Sequence, residues 1–359
     1  KGISQNSVFG SVTNNAVVLD PTTPVYYDDI TGFSERDVKN MKKVWGDEWY
    51  TNPGIQNENG YFGISQFVLN EIQNPVQQLY NDRDQDIINK LLGGVYAEIE
   101  LLDGLKFKTT FDIDMSHNYN RGWNPRTYIN SMNSASVRSR AYQSMNMYFT
   151  WQWESFFSYN KTFGDHTVGA VLGTSAREYK HEYLGGDGEE LIKESDNYAW
   201  IDYGNYIDTL NNTSWGGLGA WERLSSTFGR LSYSYKDKYM ITSNFRRDGS
   251  SKFGPANKFG IFPSVSVGWV ISREDFFKVE AINFLKARFS WGKNGVSSSL
   301  GWDWRYFPTS STGSYFYIDG NDQILSITEP TRLVNPEYQW EKSIQSDFGI
   351  DLAMFENKL

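Results

Sequence analysis

The sequence predicts an all-β chain, a portion of a large antiparallel transmembrane β-barrel with short periplasmic turns and long extracellular loops. Three observations carry this prediction. First, apolar and polar residues alternate over long stretches: Leu105, Phe107, Thr109, Phe111, Ile113 and Met115 stand against Lys106, Lys108, Thr110, Asp112, Asp114 and Ser116. A tilted strand needs about 9–11 residues to cross a bilayer, whereas globular strands usually run about 5–6. Second, aromatic residues make up 16% of the chain although its mean hydropathy is −0.56. The two agree if only alternate residues meet lipid. Third, the connections sort by length. Residues 102–104, 160–165, 236–238 and 272–283 are short, 118–142, 182–220 and 294–338 are long, and 249–258 is intermediate. Short turns at one rim and long loops at the other are the topology of an outer-membrane barrel.

Residues 1–91 show little alternation and read as a long extracellular loop region. Turn formers crowd Asp20-Pro21-Thr22-Thr23-Pro24 and Asn52-Pro53-Gly54. A short helix is predicted over 35–45, with Ser34 as its N-cap and Asp37 three residues on. Residues 92–359 read as barrel strands and loops. Val95, Ala97, Ile99 and Leu101 alternate with Tyr96, Glu98 and Glu100 up to an Asp103-Gly104 turn, a strong hairpin signal. The same period recurs through Met145–Trp153, up to Glu178, through Thr227–Tyr235, Tyr239–Phe245, Phe259–Ile271, Leu285–Trp291 and Ile344–Leu352. Pro263 cannot donate to a ladder, which predicts a bulge there.

Other classes are disfavoured. Thirty-four basic against 43 acidic residues leave a net charge of −9, with no basic stripe for nucleic acid. Cysteine is absent, so no thiol or disulfide chemistry is available. No apolar run reaches the roughly 18 residues of a membrane helix. The start, Lys1-Gly2-Ile3, has no apolar signal core, and the chain is expected to be an internal portion of a longer protein. His117, His166 and His181 fit no metal spacing, and no nucleophile–base or paired-carboxylate arrangement stands out, so an enzyme is not expected.

Two residue sets are candidate functional groups. Glu98, Asp112, Arg230, Arg246 and Asp248 fall on the polar phase of their strands, which directs them to a hydrated lumen, as a substrate path or a wet interior. Trp302, Trp304, Tyr306, Tyr315 and Tyr317 crowd one long loop and could stack on a substrate, meet a partner protein or pack on other loops. Asp187 and Asp319 lie in Gly/Asp-rich turns that offer weak oxygen sites for calcium; no other metal or cofactor is expected. The residues by themselves also admit a passive porin or adhesin barrel and a soluble carbohydrate-binding β-protein.

Several separate stretches agree in order with one family. They are Phe245-Arg246-Arg247-Asp248-Gly249-Ser250-Ser251-Lys252-Phe253-Gly254, Lys258 through Trp269, Glu274-Asp275-Phe276-Phe277, Leu285-Lys286-Ala287-Arg288, Trp291-Gly292-Lys293-Asn294-Gly295 and Asn335 through Lys342. Upstream, Leu19 through Tyr26, Asn74-Pro75-Val76 and Leu101 through Lys108 agree as well. In these the chain resembles the SusC/RagA-like TonB-dependent outer-membrane transporters of the Bacteroidota, although 118–142 and 182–220 carry no matching motif. The resemblance implies a barrel of about 22 strands, of which about nine are present here, around a plug that this chain does not show. It further implies nutrient import, of a glycan or an oligopeptide, with a SusD-like surface lipoprotein as lid. The TonB complex would act through the missing N-terminal part, and membrane lipid would surround the wall.

Overall fold

Strand formation dominates from Gln85 onward, ahead of Leu91, where the alternation first shows in the sequence. The computed structural model describes residues 11–69, 72–130, 132, 138–205, 212–297, 310–318, 324–330 and 334–355. Nine long strands form one antiparallel sheet in chain order, with β14 at one edge and β4 at the other. They are β4 (Gln85–Leu102), β5 (Leu105–Asn124), β6 (Arg140–Phe163), β7 (His166–Glu189), β8 (Thr213–Tyr235), β9 (Tyr239–Ser250), β10 (Phe259–Val270), β11 (Ile282–Val296) and β14 (Glu341–Met354). A separate hairpin, β12 (Ser310–Ile318) with β13 (Ile324–Pro330), interrupts the connection from β11 to β14.

The long connections are shorter than the sequence pattern suggested. β6 and β7 each run 24 residues, about 80 Å at the usual rise per residue. Stretches such as 118–124 and 182–189, expected as loop, continue the strands. The physical reason is that period-2 polarity is imposed only where one face meets an apolar medium. Beyond that height the ladder persists with polar groups on both faces. The bulge expected at Pro263 is absent: Phe262, Pro263 and Ser264 face Arg246, Phe245 and Asn244 in unbroken register. Pairing of β10 with β11 starts only at Ser264. Pro263 therefore stands where one ladder has ended, and its missing N–H costs nothing.

The tight turns are built from left-handed residues. Gly104 (φ 81°) closes β4–β5 and Gly164 (φ 59°) closes β6–β7. At β8–β9 the same region is taken by Lys236 (φ 52°) and Asp237 (φ 51°), neither of them glycine.

The chain packs as two units, each with its own core. One gathers the residues up to Lys90 with Ser116–Met147 and His181–Gly219. It holds α1 (Val12–Val18), α2 (Glu35–Trp45), α3 (Pro75–Asn81) and a small sheet of β1 (Tyr26–Tyr27), β2 (Gln56–Asn57) and β3 (Gly60–Phe62). α2 spans the predicted 35–45 with Ser34 as N-cap, its Oγ accepting from the Asp37 amide at 3.2 Å, and it ends at Gly46 (φ 80°). Its inner face joins a core of Phe33, Met41, Trp49, Ile55, Ile64 and Tyr128. Asp37, also buried, accepts from Tyr128 Oη at 3.0 Å and from Gln66 Nε2 at 2.7 Å. Burial pushes the Tyr128 phenol up and keeps it a donor.

The other unit gathers Leu91–Met115, Tyr148–Lys180 and the chain from Ala220 on. Its buried apolar cluster is Phe253, Phe262 and Trp340, with Leu224 and Tyr338 against it. Gly260 and Gly295 make room for the Phe262 ring: a Cβ on either would fall within 2.4 Å or 2.1 Å of its carbons. Trp340 Nε1 donates to the Lys258 carbonyl at 3.2 Å.

Candidate binding site and conduit surface

The registers of β8, β9, β10, β11 and β14 sort side chains into rows that run across the sheet. One row reads Tyr233, Ile241, Val267, Phe289 and Phe348; the next reads Tyr235, Tyr239, Trp269, Ala287 and Ile350. On the opposite face the rows read Ser232, Thr242, Ser266, Ser290 and Asp347, then Arg230, Asn244, Ser264, Gly292 and Gln345. Most of the apolar row side chains are exposed, Phe348 and Val267 among them. The apolar face continues through β5 and β6, where Phe107 meets Phe157 with ring centroids 4.9 Å apart and Phe111 stacks near Trp151.

This apolar face has polar boundaries. At the short-turn rim Tyr235, Tyr239 and Trp269 stack in sequence, with His166 against Tyr235 and Trp269 against Phe276. Trp269 Nε1 donates to Glu274 at 3.0 Å, the usual arrangement of an amphipathic ring between an apolar and a wet zone. At the other end the Arg247 guanidinium lies 3.7 Å over the Phe259 ring, its charge beyond the apolar rows. From Phe259 to Trp269 the strand covers about 33 Å, which a tilt near 40° reduces to about 25 Å, the height of an outward apolar band.

Of the polar-phase residues, Arg246 and Asp248 come together: Nε sits 2.7 Å and 3.0 Å from the two Asp248 oxygens, and Nη2 donates to Ser226 at 3.0 Å. Glu98 accepts from Lys106 at 3.2 Å. Asp112 lies against Gly94, where a Cβ would meet its carboxylate at 2.0 Å. Arg230 is exposed beside Asn244 in register. These residues share one face but make no single constellation. Asp187 is buried, and its carboxylate accepts from Thr213 and from Arg140 at 2.9 Å. Asp319, Trp302, Trp304 and Tyr306 lie outside the described residues, while Tyr315 and Tyr317 occupy alternate positions of β12, opposite Ile327 and Leu325.

A cleft that no sequence motif announced lies in the unit containing α3. About 770 Å³ in volume, it is lined by Tyr26, Glu58, Asn59, Tyr80, Gln85 and Trp123, with Arg83, Arg121 and Asp196 completing its walls. Arg83 is the keystone. Its guanidinium lies 4.6 Å from the Tyr80 ring and 4.9 Å from the Trp123 ring, and Nη1 donates to Asp196 at 3.0 Å. Trp123 Nε1 donates to the same Asp196 oxygen at 2.7 Å. Burial pushes the Asp196 carboxyl up, but the Trp123 and Arg83 hydrogen bonds outweigh it and hold it below the usual range. Arg121 donates to the carbonyls of Asp196 and Ala199 and stacks on Trp200 at 3.7 Å. Gly122 forms part of the floor, where a Cβ would strike Asp84 Oδ1 at 2.3 Å and the Tyr142 hydroxyl at 2.4 Å. The contributors come from segments far apart in sequence, so local spacing carried no signal of the cleft.

Comparison with known proteins agrees with this geometry. Residues 24–359 match the family model described as TonB dependent receptor-like, beta-barrel. A TonB-dependent receptor of Formosa agariphila is 34% identical over 74% of this chain and 24% of its own length. The TonB-dependent receptor SusC of Bacteroides thetaiotaomicron is 25% identical over 98% of this chain and 33% of its own length. The chain thus spans a quarter to a third of these relatives. Among solved structures, the RagAB peptide importer in its closed-closed state superposes with a TM-score of 0.70 at 18% identity, over 84% of this chain and 32% of that one.

Proposed function

We propose, from the premise that this chain belongs to the TonB-dependent receptor-like β-barrel family, that it forms part of the wall of an outer-membrane nutrient importer. It is an integral outer-membrane segment, as its family is. The observation that carries the reading is the pair of faces on the nine-stranded sheet. In a bilayer the apolar rows meet lipid, and the rows of Ser, Thr, Asn, Arg and Asp meet a hydrated interior. Both edge strands, β4 and β14, are exposed along most of their length. Unpaired ladder groups of this length are not tolerated in hydrocarbon, so further strands of the parent protein would pair with them and close the barrel.

Glu98, Asp112, Arg230, Arg246 and Asp248 then line the conduit. The load is a glycan or an oligopeptide, and the loop of Trp302, Trp304, Tyr306, Tyr315 and Tyr317 meets that load or a SusD-like lipoprotein lid. Energy would reach the barrel from a TonB complex. The test is uptake by cells carrying the full-length parent. Import should stop when a protonophore collapses the proton gradient or when TonB is deleted; import that survives both treatments identifies a passive porin.

A further inference from the structure

We infer that Arg247, Lys293 and Lys342 form a binding site for the phosphorylated sugar headgroup of a lipid in the outer leaflet. The inference rests on the barrel-wall reading above, which turns the apolar face of the sheet to lipid and the long loops outward. Along that face of β9, β10, β11 and β14 the only charged residues are these three. Arg247 follows Ile241 and Phe245 in phase, Lys293 follows Phe289 and Trp291, and Lys342 precedes Ile344 and Phe348. All three are cations, and all three stand at the long-loop end of the apolar rows.

Their charges are open to an anion. Arg247 and Lys342 are exposed and Lys293 is half-buried, and none of them has a carboxylate partner among the described residues. Lys342 Nζ donates to Gln339 at 3.0 Å, which leaves two of its three N–H groups. Arg247 stands opposite Ile261, yet its guanidinium lies 3.7 Å from the centroid of Phe259, one row nearer the long-loop end. The Phe259 ring in turn lies across Gly249, where a Cβ would come within 2.4 Å of it. The charge is thereby carried away from the apolar rows to headgroup level. The opposite rim differs. Its four short connections hold six acidic and five basic residues, and Lys161, Lys236, Lys238 and Arg273 each sit 3.1–3.7 Å from a carboxylate. A cation at an apolar boundary without a counter-charge of its own is stabilised by an anion that the lipid brings, and a guanidinium fork suits phosphate. From β9 to β14 is three strand steps, about 14 Å, with Lys293 set about 7 Å lower along its strand. That spread exceeds a single glycerophosphate and fits a disaccharide phosphorylated at both ends. The exposed Phe259, Ile261 and Ile344 between the cations offer surface to its acyl chains.

The experiment is native mass spectrometry of the full-length protein in detergent. The probes are bisphosphorylated lipid A, the same lipid stripped of its phosphates, phosphatidylglycerol, and inorganic phosphate as a competitor. Bisphosphorylated lipid A should bind, and the phosphate-free lipid and phosphatidylglycerol should each bind roughly tenfold more weakly. Inorganic phosphate at equal concentration should not displace it. Arg247→Gln, Lys293→Gln and Lys342→Gln together should weaken binding by a similar factor, whereas Lys161→Gln with Lys236→Gln, at the short-turn rim, should leave it unchanged. If the triple variant does not fold, Lys293→Gln with Lys342→Gln carries the test. Absence of lipid A binding overturns the inference. So does equal binding of the phosphate-free lipid or of phosphatidylglycerol, displacement by inorganic phosphate, or a charge-neutralised variant that binds as the parent does. If any of these occurs while the protein fractionates with the outer membrane, the lipid site alone fails; a protein absent from that fraction fails the wall reading as well.

Discussion

Single residues in this chain do unequal amounts of structural work, and the most consequential are polar groups inside apolar surroundings. Asp37, in the first turn of α2, accepts from Tyr128, from Gln66 and from the hydroxyl of the N-cap Ser34 while buried. Asp37→Ala leaves the Tyr128 hydroxyl and the Gln66 amide without their acceptor, and should cost about 2–4 kcal/mol. Denaturant unfolding followed by proteolysis within 11–82 would measure it; a loss under 1 kcal/mol would show that the network contributes little. Asp20 gives a pH signature. Burial pushes its carboxyl up, but hydrogen bonds from Ser65, Thr22 and Thr23 more than reverse this and hold it well below the usual carboxylate range. A depressed folded pKa contributes stability that is present above the unfolded value near 4 and is lost as pH falls through the folded value. Asp20→Asn should therefore destabilise at pH 7, and the gap between variant and parent should narrow below pH 4. A gap constant from pH 7 to pH 3 would contradict the hydrogen-bond account.

The strand, as an element, carries two environments, and its register decides which residue meets which. Val267 lies in the middle of an apolar row, between Ile241 and Phe289, while its neighbour Ser266 lies between Thr242 and Ser290. Val267→Arg should cost about 2–4 kcal/mol near the bilayer midplane, and Ser266→Arg much less, because the polar face is hydrated. Refolding into lipid vesicles with urea titration separates the two; equal costs would remove the assignment of faces. Higher on β10 the inner face is not merely wet. Phe262 fills a seat made by Gly260 and Gly295 beneath Trp340. Gly295→Ala places a methyl inside that ring's contact distance and should cost about 1–3 kcal/mol by overpacking. The same assay would detect it, with Gly93→Ala, where a Cβ meets nothing within 4 Å, as the control.

For the whole molecule, the nine-stranded sheet ends at β4 and β14, which pair with no further strand among the described residues, and its fold belongs to that of a larger barrel. The connection from β11 to β14 holds the β12–β13 hairpin and the aromatic residues Trp302, Trp304 and Tyr306. A loop so long and so aromatic is an apolar liability unless substrate, lid or neighbouring loops cover it. In the full-length protein, Trp302→Ala with Trp304→Ala should weaken lid association or substrate binding while the barrel stays folded. Pull-down of the lipoprotein and uptake rates measure the two; if neither changes, loop packing is all these residues do.

By itself the sequence determined the all-β class, the phase of each membrane-level strand, the Asp103-Gly104 turn and the helix at 35–45 with its Ser34 cap. These are local properties: period-2 polarity where one face meets an apolar medium, left-handed glycine in a turn, a side-chain oxygen at a helix start. Tertiary structure alone decided the rest. The strands β5 to β8 continue past the alternating zone because ladder hydrogen bonds do not depend on side-chain polarity. Pro263 sits in an unbroken register because its partner ladder stops beside it. The cleft of Tyr80, Arg83, Trp123 and Asp196 depends on pairing groups separated by up to 113 positions, as Arg83 and Asp196 are. Local periodicity cannot encode such a meeting, since it arises from the packing of the folded chain rather than from the spacing of residues along it.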